Sequence, residues 1–274
     1  MKKLEEIIVK AAENDTLDVK RFLFGSMDFT TLKCTDSEQS VMAFVERVNA
    51  WDNEHPDLPH PAAVCVYPCF AEIVNECLDV EGVEIECVSG GFPSSQTFAE
   101  VKTVETALAL KDGATEIDMV LSVGKFLSGD IEGVTDEIKE MKSVCEGSGA
   151  KLKVILETGC LVTEENIRKA SRIAMDAGAD FIKTSTGKEK IGATPEAALW
   201  MCEEIKEYFK RENRKVGFKA AGGINTSMDA VIYYTIVKEV LGEKWLTNQY
   251  FRLGTSRLAN LLLSEVVGEE VKFF

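Results

Sequence analysis

The chain has 274 residues, 45% of them hydrophobic and 28% charged, a composition suited to a globular protein that buries a sizeable core. Its 31 basic residues against 46 acidic ones leave a net charge of −15. That balance argues against a nucleic-acid or anionic-membrane surface, while a local pocket can still take a small phosphorylated ligand. In chain order, the spacing predicts an N-terminal helix over residues 1–20, with Leu4, Ile7, Ile8 and Ala11 on one face. A weak strand, Phe22–Phe29, follows. Thr35-x-x-Glu38 reads as a capping box ahead of a helix whose Val41, Phe44, Val45 and Val48 fall at i, i+3, i+4 and i+7. Residues 52–61 hold three of the six prolines and both histidines, His55 and His60, and read as an exposed loop.

The strands Ala62–Tyr67 and Val83–Val88 come next, then a helix behind Thr97-x-x-Glu100 with Val101, Val104 and Leu108 as its apolar stripe. The strands Thr115–Leu121, Leu152–Glu157 and Asp180–Thr184 precede a helix entered through Thr194 and Pro195, with Ala198, Cys202, Ile205 and Phe209 on one face. The strands Val216–Lys219 and Tyr250–Gly254 follow, and residues 258–274 read as a C-terminal helix and tail.

Four glycines, Gly82, Gly113, Gly149 and Gly178, stand just before strands where a helix should end. Their separations of 31, 36 and 29 residues each fit one strand, one helix and two short loops. Near-continuous apolar strands call for parallel pairing with crossover helices on the outside. The reading is α/β: one domain over residues 1–274, a (β/α)8 TIM barrel with an extra N-terminal helix. A doubly wound open sheet comes second, because no G-x-G-x-x-G or G-x-x-x-x-G-K-[ST] follows any strand.

With both histidines in one loop, a histidine zinc site lacks ligands and a Ser-His-Asp triad lacks a placed base. Acid–base and nucleophilic work is left to Lys, Asp, Glu or Cys. The eight cysteines are scattered without a C-x-x-C pair, which suits small buried hydrophobes in a reducing cytosol. Glu5 and Glu6 interrupt any leader-like start, and no apolar run approaches 18 residues. The expectation is a soluble cytoplasmic protein without membrane or nucleic-acid partners.

In a barrel the chemistry gathers at the C-terminal ends of the strands. Lys183 follows Phe181 and Ile182 inside a strand, on the face opposite Ile182. A buried lysine there is paired, solvated by a site, or neutral, and only the neutral amine is a nucleophile. A lysine snorkelling to solvent or ion-paired structurally is the plainer alternative. Lys219 repeats the pattern one strand later, and two converging cations make each other harder to protonate. Glu116 and Asp118 lie two apart on one strand face, and Asp118 could shuttle protons or merely neutralise a cation. Lys153 and Glu157 read as structural partners in a polar interior. Gly222-Gly223, Gly254-Thr255-Ser256-Arg257 and Thr186-Gly187-Lys188 offer loops able to cradle a phosphate.

Phe181–Lys188 (F-I-K-T-S-T-G-K), Gly217–Gly223 (G-F-K-A-A-G-G), Glu116–Val120 (E-I-D-M-V) and Leu152–Thr158 (L-K-V-I-L-E-T) resemble motifs of the deoxyribose-phosphate aldolase family. So do Met27–Thr30, Cys65–Pro68 and Gly254–Ser256, one motif per strand in family order from Asp28 to about Arg257. The resemblance implies reversible cleavage of 2-deoxy-D-ribose 5-phosphate into acetaldehyde and D-glyceraldehyde 3-phosphate, with no metal and no organic cofactor. It assigns Lys183 as the Schiff-base lysine, Lys219 as the neighbour that favours its neutral form, and Asp118 as the proton exchanger. Thr186 and Lys188 would face the sugar. Gly187, Gly222, Gly223 and Ser256 would hold the phosphate, and Asp28 and Cys65 would support the site. Partners would be a phosphosugar and aldehydes, with a homo-oligomer left open.

Three positions depart from the family pattern: Ser95 where glycine is usual, Phe29 where leucine or histidine is usual, and Arg257 after Ser256. Two other functions compete. Another Schiff-base aldolase would cleave a ketose phosphate instead, and a silent phosphosugar-binding barrel would be stabilised by ligand without turnover.

Overall fold

The computed structural model describes residues 2–274. Eight parallel strands close into a barrel in chain order: β1 (Met27–Thr30), β2 (Ala63–Val66), β3 (Glu84–Ser89), β4 (Glu116–Val120), β5 (Lys151–Ile155), β6 (Phe181–Lys183), β7 (Gly217–Ala221) and β8 (Phe251–Gly254). β8 pairs back onto β1, so the sheet has no open edge. Two helices precede the barrel, α1 (Lys2–Ala11) and α2 (Leu17–Phe24). Between strands lie α3 (Glu38–Glu54), α4 (Ala71–Cys77), α5 (Ala99–Lys111), α6 (Val123–Ser128), α7 (Ile131–Gly147), α8 (Thr158–Leu161), α9 (Glu164–Asp176), α10 (Pro195–Glu212) and α11 (Ser227–Leu241). The last helix is α12 (Ala259–Val267).

Strand parity divides the molecule in two. Phe29, Val64, Ile117, Val154, Ile182, Phe218 and Leu253 point outward into one apolar sleeve beneath the helices. The alternate positions point into the barrel and are largely charged, as the placement of Lys183 opposite Ile182 predicts. Glycine makes room inside. A Cβ at Gly217 would sit 2.3 Å from the Phe181 ring, and one at Gly254 would lie 3.2 Å from Cε of Lys219.

Gly113, Gly149 and Gly178 close helices at φ +109°, +73° and +106°. After each, an alanine N–H reaches back five residues: Ala114 to Ala109, Ala150 to Cys145 and Ala179 to Ala174. Gly82 differs, because α4 ends at Cys77 and the glycine serves a turn before β3.

Several local expectations are corrected. α3 is capped by Ser37 with Ser40, not by Thr35, and α5 starts after Phe98 without a side-chain cap, so Thr97 caps nothing. Val101, Val104 and Leu108 are exposed, and α5 turns Lys102, Thr106, Ala109 and Leu110 inward instead. The N-terminal helix stops at Ala11, and Ile8 is exposed; Met1 lies outside the described residues. Phe22–Phe24 belong to α2, so β1 begins only at Met27. Residues 52–54 of the expected loop belong to α3, and both histidines are half-buried, the His55 ring lying tilted at 4.1 Å from that of Trp51. Cys65, Cys87, Cys145 and Cys202 are buried, but Cys34 and Cys69 are exposed. The tail is anchored: the Asn260 carboxamide oxygen accepts from the N–H groups of Phe273 and Phe274, and Phe274 meets Phe29 edge-on at 4.7 Å. Phe29 thus fills an aromatic pocket outside the barrel. No helix among the described residues is long and apolar enough to cross a membrane.

Candidate active site

Inside the barrel three carboxylates and three cations alternate in a closed ring. Lys219 bridges Asp28 and Glu86 at 2.6 Å each, and Lys153 bridges Glu86 (2.7 Å) and Glu116 (2.5 Å). Arg252 closes the circuit from Glu116 (3.0 Å) to Asp28 (2.5 Å). Asp118 joins it: its Oδ2 accepts from Lys219 at 2.9 Å and from Lys183 at 2.6 Å, and its Oδ1 lies 3.3 Å from Lys153. All eight groups are buried. Register explains the convergence, because Lys183 and Lys219 are direct partners on β6 and β7, and Asp118 pairs with Lys153 across β4 and β5.

The lysines differ in what surrounds them. Lys219 touches three carboxylates and is fully buried, whereas Lys183 touches one and keeps slight access to the strand-end mouth. Burial works against a charge on Lys219, yet Asp118, Asp28 and Glu86 outweigh it and push its pKa well above the ordinary lysine value. Lys153 is raised in the same way. Burial also opposes ionisation of Asp118, but Lys183, Lys219 and Lys153 hold it well below the usual carboxylate range. Glu86 goes the other way: burial, with the Asp118 and Asp28 charges beside it, pushes it up to about 7. Asp28, Glu86 and Glu116 come close enough to bracket a metal ion, but Lys153, Lys219 and Arg252 fill the positions between them.

Cys65 is buried next to these groups, and burial raises its thiol pKa. With Leu32 and Val88, and with Tyr67 and Phe92 packed beside them, it forms an apolar cluster separate from the main core. At the mouth, Thr186 donates through Oγ1 to Glu157 at 2.5 Å, and Glu157 holds φ +56° to meet it. Exposed Lys188 crosses from the loop after β6 to the carbonyl of Leu32 after β1. Gly222 and Gly223, both at φ +77°, follow β7, and a Cβ at Gly222 would lie 3.1 Å from Cα of Gly187. Ser256, after β8, donates to the carbonyl of Thr30 at 3.1 Å.

The predicted residues therefore fall into four places, one of them the apolar cluster that holds Cys65. Lys183, Lys219 and Asp118 meet at one oxygen, Asp28 lies within the ring, and Thr186, Gly187, Lys188, Gly222, Gly223 and Ser256 stand on loops after β6, β7 and β8. Glu86 and Arg252 were not expected. Their sign was present, since each is a charge between two apolar strand residues, Ile85 and Cys87 or Phe251 and Leu253.

A closed parallel barrel with lysines and a carboxylate at its strand ends defines a class of enzyme scaffold suited to carbonyl chemistry. The sequence pattern of the DeoC/LacD family aldolases matches residues 26–237, and the chain belongs to this family. A Caenorhabditis elegans relative is 42% identical over 243 residues, 88% of this chain and 79% of its own. Human deoxyribose-phosphate aldolase is 44% identical over 199 residues, 72% of this chain, and the match spans 62% of the human protein. Among solved structures, deoxyribose-phosphate aldolase from Aeropyrum pernix, described as tetrameric, superposes with a TM-score of 0.74 at 26% identity, covering 95% of this chain and 97% of that one.

Proposed function

We propose that this chain catalyses the reversible cleavage of 2-deoxy-D-ribose 5-phosphate to acetaldehyde and D-glyceraldehyde 3-phosphate through a Schiff base on Lys183. The observation that carries the reading is the sharing of one Asp118 oxygen by Lys183 and Lys219, with Lys183 alone reaching toward the mouth. The names of the human and archaeal relatives support the substrate.

Lys219, held as a cation by three carboxylates, already compensates Asp118, so Lys183 can release its proton without leaving a bare charge. The neutral Lys183 amine adds to C1 of the open-chain sugar, giving a carbinolamine that loses water to form an iminium. A base takes the C3 hydroxyl proton, the C2–C3 electron pair flows into the iminium, and D-glyceraldehyde 3-phosphate leaves. The remaining enamine takes a proton at C2, and water then releases acetaldehyde and the free amine. Asp118, in contact with both lysines, is placed to relay these protons. The iminium is the electron sink, so this route needs neither metal nor organic cofactor.

Gly187, Gly222, Gly223 and Ser256 hold the phosphate in this reading, while Thr186 and Lys188 face the sugar. Anchoring the phosphate spends remote binding energy on aligning C2–C3. The site spends charge from strands throughout the barrel, so residues 1–274 act as one catalytic unit. A cytoplasmic setting suits eight free thiols, and a homo-oligomer agrees with the assembly named for the archaeal relative.

Borohydride reduction in the presence of acetaldehyde, followed by peptide mass mapping, tests the proposal. The expected product is an ethyl adduct confined to Lys183. An adduct on Lys219 exchanges the lysines' roles, and a folded protein without adduct overturns the Schiff base.

A further inference from the structure

We propose that Glu157 is a positioning residue, whose carboxylate shapes the turn Thr186-Gly187-Lys188 so that the Gly187 N–H faces the substrate phosphate. This deepens the reading above and rests on its phosphate site.

Glu157 follows β5 and is buried. It is not the partner of Lys153, whose ammonium is taken up by Glu86, Glu116 and Asp118. Its carboxylate serves the loop after β6 instead. Oε2 accepts from Thr186 Oγ1 at 2.5 Å, and both oxygens lie 3.3 Å from the Thr186 nitrogen. Thr186 Oγ1 in turn accepts from the N–H of Lys188 at 3.1 Å. A hydroxyl has one proton and two lone pairs. With the proton given to Glu157 and one lone pair to Lys188, one lone pair remains for the sugar. This chain of bonds closes a turn around Gly187, which holds φ +75°. No acceptor among the described residues takes the Gly187 N–H, so it stays free for a phosphate oxygen.

The backbone carrying Glu157 is held in a form it would not adopt freely. Glu157 stands at φ +56°, ψ +60°, and Val162, at the other end of α8, at φ +63°, ψ −49°. The Thr163 N–H reaches back to the Leu161 carbonyl at 2.7 Å, a γ-turn of the strained kind on an exposed β-branched residue. Such strain persists only where the surroundings enforce it. Here the loop after β6 does so: the Thr158 N–H donates to the Thr184 carbonyl at 2.9 Å, and a Cβ at Gly159 would collide with the Ile191 carbonyl oxygen. From the β7 side, the Ala193 N–H donates to the carbonyls of Ala221 and Gly222 at 3.0 Å each. A Cβ at Gly192 would lie 2.5 Å from the Gly222 oxygen. The loop is thus gripped on both sides, and Gly187 meets Gly222 with no side chain between them. A carboxylate beside an anion site is otherwise repulsive. Its occupation by loop donors identifies the loop, not the ligand, as what Glu157 holds.

Calorimetric binding of glycerol 3-phosphate, with steady-state cleavage of deoxyribose 5-phosphate and of unphosphorylated 2-deoxyribose, tests this. Glu157→Ala should weaken glycerol 3-phosphate binding, and lower kcat/KM for the phosphorylated sugar, by at least about tenfold. For 2-deoxyribose, which has no phosphate to misplace, kcat/KM should fall by less than about threefold. Glu157→Gln keeps one acceptor oxygen for Thr186 and should recover both values to within about threefold of native. Gly159→Ala leaves the carboxylate in place but pushes the loop at Ile191, and should weaken glycerol 3-phosphate binding by at least about threefold. That variant reads the proposal even if Glu157→Ala misfolds. Unchanged binding in Glu157→Ala or Gly159→Ala, an equal loss for both sugars, or Glu157→Gln no better than Glu157→Ala overturns the proposal. Weakened binding in the variants of a protein that never cleaves deoxyribose 5-phosphate would refute the catalytic reading and leave this one standing.

Discussion

Lys102 and Lys183 are both buried lysines near the same end of the barrel, at 1% and 3% exposure, and they are held in different ways. Lys102, on α5, donates to Ser95 Oγ (2.8 Å), Ser122 Oγ (2.7 Å) and Glu137 Oε2 (3.0 Å). An ammonium has three N–H donors, so each has an acceptor. Ser122 and exposed Lys125 satisfy Glu137 further, at 2.5 and 2.8 Å. Burial alone would raise Glu137, but these hydrogen bonds hold it below the usual carboxylate range. Lys183 has one acceptor among the described residues, the Asp118 oxygen it shares with Lys219. Burial is common to both lysines. What separates them is how many acceptors would be orphaned if the proton left, and that number is small only for Lys183.

The largest expected consequence is kinetic. Lys183→Ala should lower retro-aldol turnover by at least about a thousandfold, because Lys219 is held by three carboxylates and Lys188, the other lysine at the mouth, is engaged with the Leu32 carbonyl. Lys188→Ala, which removes a cation already engaged with the Leu32 carbonyl, should leave most of the turnover. Steady-state assays with deoxyribose 5-phosphate check both, and full activity in Lys183→Ala would break the distinction at its centre.

The next effect is on stability and falls on the other lysine. Lys102→Met fills similar volume but takes from Glu137 its buried cation and leaves it Ser122 and exposed Lys125, so the loss should stay below the roughly 3 kcal/mol of a buried charge left with no partner. Denaturant unfolding should register that loss, while turnover of the folded fraction stays near native. If turnover fell and stability held, Lys102 would belong to the catalytic set and the contrast would fail.

These two lysines also mark how far the sequence could be read. Lys183, Lys219 and Asp118 were legible because a charge at an alternating position in an apolar strand has nowhere to point but into the barrel. The barrel was legible through its repeated helix-ending glycines. Lys102 was not, since it sits mid-helix among Val101, Val104 and Leu108, whose spacing claims the buried face for themselves. A carboxylate 35 residues away, on α7, decides the rotation, and local periodicity does not contain it. The caps misread for a related reason. Thr35 and Thr97 carry the capping pattern, but the chain entering each helix places Ser37 and Phe98 at the boundary instead. Ser95 shows the same long-range control. It holds φ +59°, and its hydroxyl is fixed by Lys102 and by donation to the Val120 carbonyl at 3.0 Å.

The ring beneath Lys183 offers the finest test, because Glu86 behaves unlike the other acids in it. Asp28, Glu116 and Asp118 are all lowered against the burial that opposes their ionisation: Arg252 and Lys219 hold down Asp28, Lys153 and Arg252 hold down Glu116, and Lys183 and Lys219 hold down Asp118. Each contributes stability that is present above its ordinary value near 4 and is lost as pH falls below it. Lys153 and Lys219, raised, contribute fully below about 10.5 and lose that contribution only as pH rises further. Glu86 is raised to about 7, so between about 4.5 and 7 the folded protein binds a proton that the unfolded chain releases. Its contribution therefore declines as pH rises through that window, with a slope of at most roughly 1.4 kcal/mol per pH unit, the value for one proton. Glu157, raised by burial, adds to the same trend. Glu86→Gln removes the titration while keeping the shape, so unfolding free energies measured from pH 5 to 7 should fall less steeply in the variant than in the native protein. Identical slopes would mean that Glu86 stays ionised between Lys153 and Lys219, leaving the ring a fixed array of charges.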